Sequence, residues 1–162
     1  MLGRGPDALA LHERAVDEWR VLTAGALVGL AGAALELGVE YAKQRQQFGV
    51  PIGSFQALAH RLADVATAVE GAVLLVREAA WAADEDEAAA TALARMAFLF
   101  AARAAQDTSA AALHVHGGYG FTLEYDVQLY LRRAKAWPLA LGDPRRGALH
   151  LADALFGPVE VA

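Results

Sequence analysis

SFQALAHRLADVATAVEGAVLLV, residues 54–76, places Phe55, Leu58, Leu62, Val65, Val69, Ala72 and Val76 along one line. The steps between them are three and four without a break. A strand repeats every two residues and does not give that pattern, whereas a helix with one apolar stripe does. Ser54, a residue type that can accept a bond from the free amides of a first helical turn, is read as the cap. A stripe of this kind has to be covered by other helices, so the segment implies bundle packing.

The rest of the chain agrees. Alanine supplies 39 of the 162 residues and proline only 5. Alanine is the strongest helix former and is poor in strands, so the expected fold is all-α, with helices packed closely over small side chains. This length suits one compact domain, residues 1–162, burying roughly two-thirds of its unfolded surface. The first helix is expected to open at Pro6 or Asp7 and to run to about Gln46, ahead of Phe48-Gly49. Val50-Pro51-Ile52-Gly53 reads as a turn. The acidic run Asp84 to Glu87 reads as a solvated corner leading into a third helix, in which Leu93, Met96 and Phe100 share a face. That helix should stop at Gly117-Gly118. A shorter helix from about Tyr125 to Trp137 is interrupted by Pro138. Gly142-Asp143-Pro144 then reads as an end, a cap and a restart before a last helix carrying Leu149, Leu151 and Leu155.

A formal charge of −5 argues against a nucleic-acid partner, because phosphate binding needs a basic excess. There is no cysteine, hence no disulfide framework and no thiolate metal site. The first residues hold no long apolar core of a secretion signal, and a cytoplasmic location is the expectation. Val21 to Leu35 is uncharged for 15 residues, short of the ~20 that a membrane span needs, so a helix buried among other helices is expected there.

Three polar elements stand out. HVHGGYGFTLEYD, residues 114–126, gathers Gly117, Gly118 and Gly120; they either end a helix or let backbone lie against a planar ring or a phosphate. His114 and His116, two positions apart, fall on different sides of a helix with no carboxylate cluster nearby, so no metal is expected. In YAKQRQQFG, residues 41–49, Arg45 is either a surface cation at a helix C-terminus or a phosphate clamp beside Phe48. Gln56 opens the second helix, solvated or holding an anionic ligand at the positive helix end. No Gly-x-Ser-x-Gly elbow and no phosphate loop with a following Lys-Ser or Lys-Thr is present. The pairs Arg132-Arg133 and Arg145-Arg146 read as surface ion-pair partners or as phosphate contacts.

Taken together, WRVLTAGALVGLAGAALELGVEYAKQRQQFG with Arg20, then PIGSFQALAHRLADV, then HVHGGYGFTLEYDVQLYLRRAK resemble the C-terminal helical domain of the acyl-CoA dehydrogenase family. The match runs in order from about Asp17 to Asp143. It implies an up-and-down bundle of four main helices with short additional C-terminal helices. It also implies FAD as cofactor, with Arg45, Phe48 and Gln56 along the adenine and diphosphate part of a flavin held mainly by a neighbouring subunit. His114, Gly117 and Gly118 would cover its adenosine end, although His114 stands where most relatives have glutamine. By the same resemblance Arg20 lies near the acyl-CoA chamber, Gly142-Asp143 meets the flavin where many relatives have Gly-Thr, and the whole protein is a homo- or hetero-oligomer.

The family removes an α-proton from an acyl thioester with a glutamate while the flavin takes a hydride from the β-carbon. The usual glutamate precedes the glycine of Gly-Thr, and here that place holds Leu141. The alternative glutamate of some relatives falls at Trp19; Glu18 is one residue off, about 100° around the helix. The catalytic residue is therefore unknown. The upstream helical domain and β-barrel of the family are not in this chain. The expected function is the C-terminal part of an FAD-dependent acyl-CoA dehydrogenase-like oxidoreductase that desaturates an acyl-CoA. The alternatives are a non-catalytic subunit or assembly module of a hetero-oligomer, and an oxygen-using flavin enzyme on the same scaffold.

Overall fold

In the computed structural model, which describes residues 5–157, five α-helices follow one another: α1 (Pro6–Gln44), α2 (Gln56–Glu85), α3 (Glu87–His116), α4 (Val127–Ala136) and α5 (Pro144–Phe156). Residues 1–4 and 158–162 of the expected domain lie outside the described residues. Pro6 opens α1 with Asp7 in its first turn, where a missing amide costs nothing and a carboxylate meets the positive helix end. Asp86 caps α3, its carboxylate accepting from the Ala89 amide at 3.3 Å. Asp143 does the same for α5 with the Arg145 amide at 3.0 Å.

The three long helices run up, down and up. Asp17 near the start of α1 accepts from Thr91 near the start of α3 at 2.8 Å, while Tyr41 near the end of α1 stacks on the last residue of α3, His116, with ring centres 4.2 Å apart. The fourth arm is divided into α4 and α5 by a 3-10 turn, Trp137–Leu141, with Pro138 inside it. The core is largely alanine: Ala24, Ala31, Ala72, Ala97, Ala101 and Ala105 are buried with Leu27, Val69 and Phe98. Small side chains let the helix axes approach. At Gly38 an added Cβ would sit 3.1 Å from both Cα and Cβ of Ala112, so α1 and α3 meet there nearly backbone to backbone.

Several sequence expectations shift. α1 ends at Gln44, where Arg45 leaves helical geometry (φ −72°, ψ 125°). Gln46–Gln47 (β1) and Val50–Pro51 (β2) then pair antiparallel around Phe48-Gly49. Both turn residues have positive φ, 54° and 81°, as a two-residue hairpin with the strands' own twist requires. Two-residue strands are too short to give an alternating pattern, so only a turn was legible there. Ser54 does not cap α2: its hydroxyl donates back to the Pro51 carbonyl at 2.7 Å, and Phe55 occupies the cap position without a side-chain bond. On α3, Met96 and Phe100 are exposed, and the inward face is the alanine line instead. Two stretches, Asp7–Gln44 and Ala88–Phe121, are long and apolar enough to cross a membrane by length and composition, a test that core helices of soluble proteins also pass. Here the same helices supply Ala24, Leu27, Ala97, Ala101 and Ala105 to the shared core.

Candidate functional site

The chain direction brings the end of α1, the hairpin, the start of α2 and the end of α3 to one end of the bundle. Ala42, Ile52, Leu62 and Val115, from each of these segments, form one apolar cluster beneath that end. Arg45 is the first residue beyond α1; its carbonyl accepts from the Ile52 amide at 2.8 Å, which fixes the hairpin to the helix. Phe48 at the turn is 93% exposed and meets Phe55 edge to face, ring centres 6.1 Å apart. A bulky residue with positive φ is uncommon, and the hairpin geometry holds it there. Gln56 is the first residue of α2, at the positive end of a 30-residue helix. Arg45, Gln56 and His114 are all exposed.

The glycines of the HGGYG stretch have three different reasons. Gly117 ends α3 at φ +61°, a conformation that side chains rarely adopt. Gly120 is buried, and a Cβ there would lie 2.7 Å from the Leu113 carbonyl oxygen, so its reason is internal packing. Gly118 has no positive φ, and a Cβ on it would meet nothing within 4 Å. Nothing among the described residues requires glycine at 118, so its bare face is open to something outside the bundle. His116, buried beneath, places Nδ1 2.8 Å from the Ala112 carbonyl and lies between Tyr41 and Tyr125, the second edge to face at 5.5 Å. This aromatic support for the glycine turn was not legible, because Tyr41 and Tyr125 are distant in sequence.

Arg20 is elsewhere. It lies on α1, 24 residues before the helix ends at Gln44 next to Arg45, about 36 Å at ~1.5 Å per residue. It is ion-paired with Asp17 and lines a cavity of about 480 Å³ with Arg95, Phe98, Pro138, Leu141 and Gly142. Asp143 and His150 also border it. The Arg145 backbone amide, then the Arg145 side chain, hold the Asp143 carboxyl below its usual range. Trp19 packs against Phe98, ring centres 5.6 Å apart. Glu18 borders a different cavity, with Arg14, Leu22 and Asp84. Among the described residues no three metal-ligating side chains come together.

Over residues 9–154 the chain matches the family model for the acyl-CoA dehydrogenase C-terminal domain, and it belongs to that family of oxidoreductases. It is 38% identical over 140 residues to acyl-CoA dehydrogenase IpdE2 of Mycolicibacterium smegmatis, covering 86% of this chain and 43% of that protein. To the probable acyl-CoA dehydrogenase YngJ of Bacillus subtilis it is 41% identical over 141 residues, 87% of this chain and 37% of that one. The structure of butyryl-CoA dehydrogenase from Megasphaera elsdenii superposes with a TM-score of 0.88 at 33% identity, over 94% of this chain and 40% of that chain. The ChsE4-ChsE5 complex from Mycobacterium tuberculosis gives 0.81 at 31% identity, over 96% of this chain and 42% of the matched one. The chain thus spans about two-fifths of the length of these relatives.

Proposed function

We propose that this chain is the C-terminal portion of an FAD-dependent acyl-CoA dehydrogenase-like protein. It would contribute flavin contacts, a wall of the acyl chamber and an oligomer surface. The observation that carries the reading is the end of the bundle where Arg45, Phe48, Gln56, His114, Gly117 and Gly118 gather, together with the bare face of Gly118. These residues fit a dinucleotide: Arg45 offers a forked cation to a diphosphate, Phe48 an aromatic face, Gln56 amide donors, and Gly117-Gly118 backbone with no side chain in the way. When bound, FAD supplies the hydride-accepting chemistry. The residues named here bind and orient it.

In this reading the cavity at Arg20 and Leu141 is the acyl-chamber wall. Its apolar members are Phe98, Pro138 and Leu141, and an apolar setting is one in which a carboxylate base gains strength. Among the described residues that line it there is no glutamate to take the proton. Leu141 has no acceptor, Trp19 is packed on Phe98, Glu18 borders the other cavity, and Asp143 is held in its ionised form by Arg145. This favours a second reading in which the base comes from a preceding domain or from a related partner chain. The likeness to a chain of the ChsE4-ChsE5 complex is in keeping with it.

The test is a visible spectrum of the purified complete protein, followed by anaerobic addition of a panel of acyl-CoAs. A bound-flavin spectrum bleached by one or more thioesters is expected. A colourless protein that takes up no FAD would refute the reading. Co-purification with a glutamate-bearing relative supports the hetero-oligomer, and full turnover by a homo-oligomer excludes it.

A further inference from the structure

Asp17 offers the two oxygens of one carboxylate to two helices. Oδ1 is paired with Arg20, one turn further along α1, and Oδ2 accepts from the Thr91 hydroxyl of α3 at 2.8 Å. Among the described residues this is the only hydrogen bond between side chains of different helices. Arg20, the inner member of the trio, borders the cavity beside Leu141, and Thr91, the outer one, is exposed.

Two comparisons within the molecule set the trio apart. Glu40 and Lys43 have the same spacing on the same helix, but their side chains are 52% and 65% exposed and no third side chain joins them among the described residues. A solvated pair of that kind fixes little. The side chains of Asp17 and Arg20 are 15% and 21% exposed. Thr67, inside α2, turns its hydroxyl back to the Ala63 carbonyl at 3.0 Å, the ordinary habit of a helical threonine, whereas Thr91 reaches across to α1.

An untied arginine at a cavity wall samples many rotamers, and a ligand that uses it has to order it on binding. Asp17 takes one N–H of the Arg20 guanidinium, and the other N–H groups have no partner among the described residues. We infer that Asp17 and Thr91 are positioning residues for acyl-CoA binding: Thr91 holds the Asp17 carboxylate, and Asp17 holds Arg20 ready at the wall of the chamber. The inference rests on the acyl-CoA dehydrogenase reading of that cavity.

The test uses the complete protein with whatever partner co-purifies, and titration calorimetry with three 2-enoyl thioesters that an oxidised flavin leaves unchanged: crotonyl-CoA, trans-2-octenoyl-CoA and cinnamoyl-CoA. For the tightest of the three, Asp17→Ala and Thr91→Val are each expected to weaken binding roughly threefold to tenfold, the order of the cost of immobilising one long side chain. Thr91→Ser keeps the hydroxyl and should bind like the unaltered protein. In an Arg20→Met background neither change should weaken binding further. FAD affinity, set at the other end of the bundle, should not move, which also reports that the variants are folded. Asp86→Ala loosens the same end of α3 without touching the trio and should leave thioester binding unchanged. Unaltered binding in either Asp17→Ala or Thr91→Val overturns the inference. So does an equal loss in Thr91→Ser or Asp86→Ala, or a loss that persists in the Arg20→Met background, because the trio would then only brace the two helices. These results leave the family reading standing, since the thioester still binds. Failure of all three thioesters and of free CoA to bind the unaltered protein would bring down that reading and this inference together.

Discussion

Gly118 and Gly120 are two residues apart in one 3-10 turn, and alanine at each should act in opposite directions. At Gly120 the new Cβ would lie 2.7 Å from the Leu113 carbonyl oxygen and 3.2 Å from the Cβ of His116 and the Cγ of Leu113. The oxygen belongs to the α3 backbone, held in place by the helix, so the turn itself has to move. Overpacking of this kind costs about 1–3 kcal/mol. At Gly118 the same methyl meets nothing within 4 Å and no positive φ opposes it. There the restricted unfolded chain should stabilise the fold by about 0.4–1 kcal/mol. Urea denaturation followed by circular dichroism should therefore show a lower midpoint for Gly120→Ala and an unchanged or higher one for Gly118→Ala, with the slopes alike. In the complete protein Gly118→Val should weaken FAD binding, because its side chain occupies the face proposed for the cofactor. Equal stabilities for the two alanine variants would refute the assignment of separate causes to neighbouring glycines. So would a larger loss at Gly118 than at Gly120.

Asp86→Ala removes the carboxylate that caps α3 and should destabilise the chain by about 1 kcal/mol in the same denaturation assay. Asp17→Ala breaks the part-buried pair with Arg20 and the bond from Thr91, and should cost roughly 1–2 kcal/mol; a double-mutant cycle with Arg20→Ala should show the two residues coupled. Asp143 has a carboxyl held below the ordinary value of 3.8, chiefly by the Arg145 amide. Its ionised form therefore stabilises the fold fully above that value, and the contribution disappears as pH falls through the lower folded-state pKa. The stability gap between the unaltered chain and Asp143→Asn should be constant near neutrality and close only below about pH 4, as an acid titration of the urea midpoint would show.

Long helices were legible because their signals repeat. The stripe from Phe55 to Val76 reports seven times on the same periodicity, and Gly117, Pro138 and Gly142-Asp143-Pro144 mark ends through local backbone chemistry. The inward face of α3 was not legible in the same way. In an alanine-rich helix the larger side chains at Met96 and Phe100 give the stronger pattern, yet the close approach of α1 and α2 selects the alanines. The hairpin escaped because its strands hold two residues each, and Ser54 misled because a hydroxyl can bond backward as readily as forward. Within the candidate site, Arg45, Gln56 and the glycines were found by the segments they sit in, and the fold brings those segments to one end. Arg95, which lines the cavity beside Leu141, was missed because a lone arginine in a helix has no signature.

FAD affinity of the complete protein, measured by fluorescence titration of the stripped form for the unaltered chain and for the double variant Arg45→Ala/Gln56→Ala, tests the central claim most directly. Both side chains are exposed and neither has a structural partner to lose among the described residues, so the fold should be unaffected. The account expects the double variant to bind FAD at least roughly tenfold more weakly, the order of one charge-assisted contact. An unchanged dissociation constant would contradict it, because the cofactor would then lie against some other part of the protein.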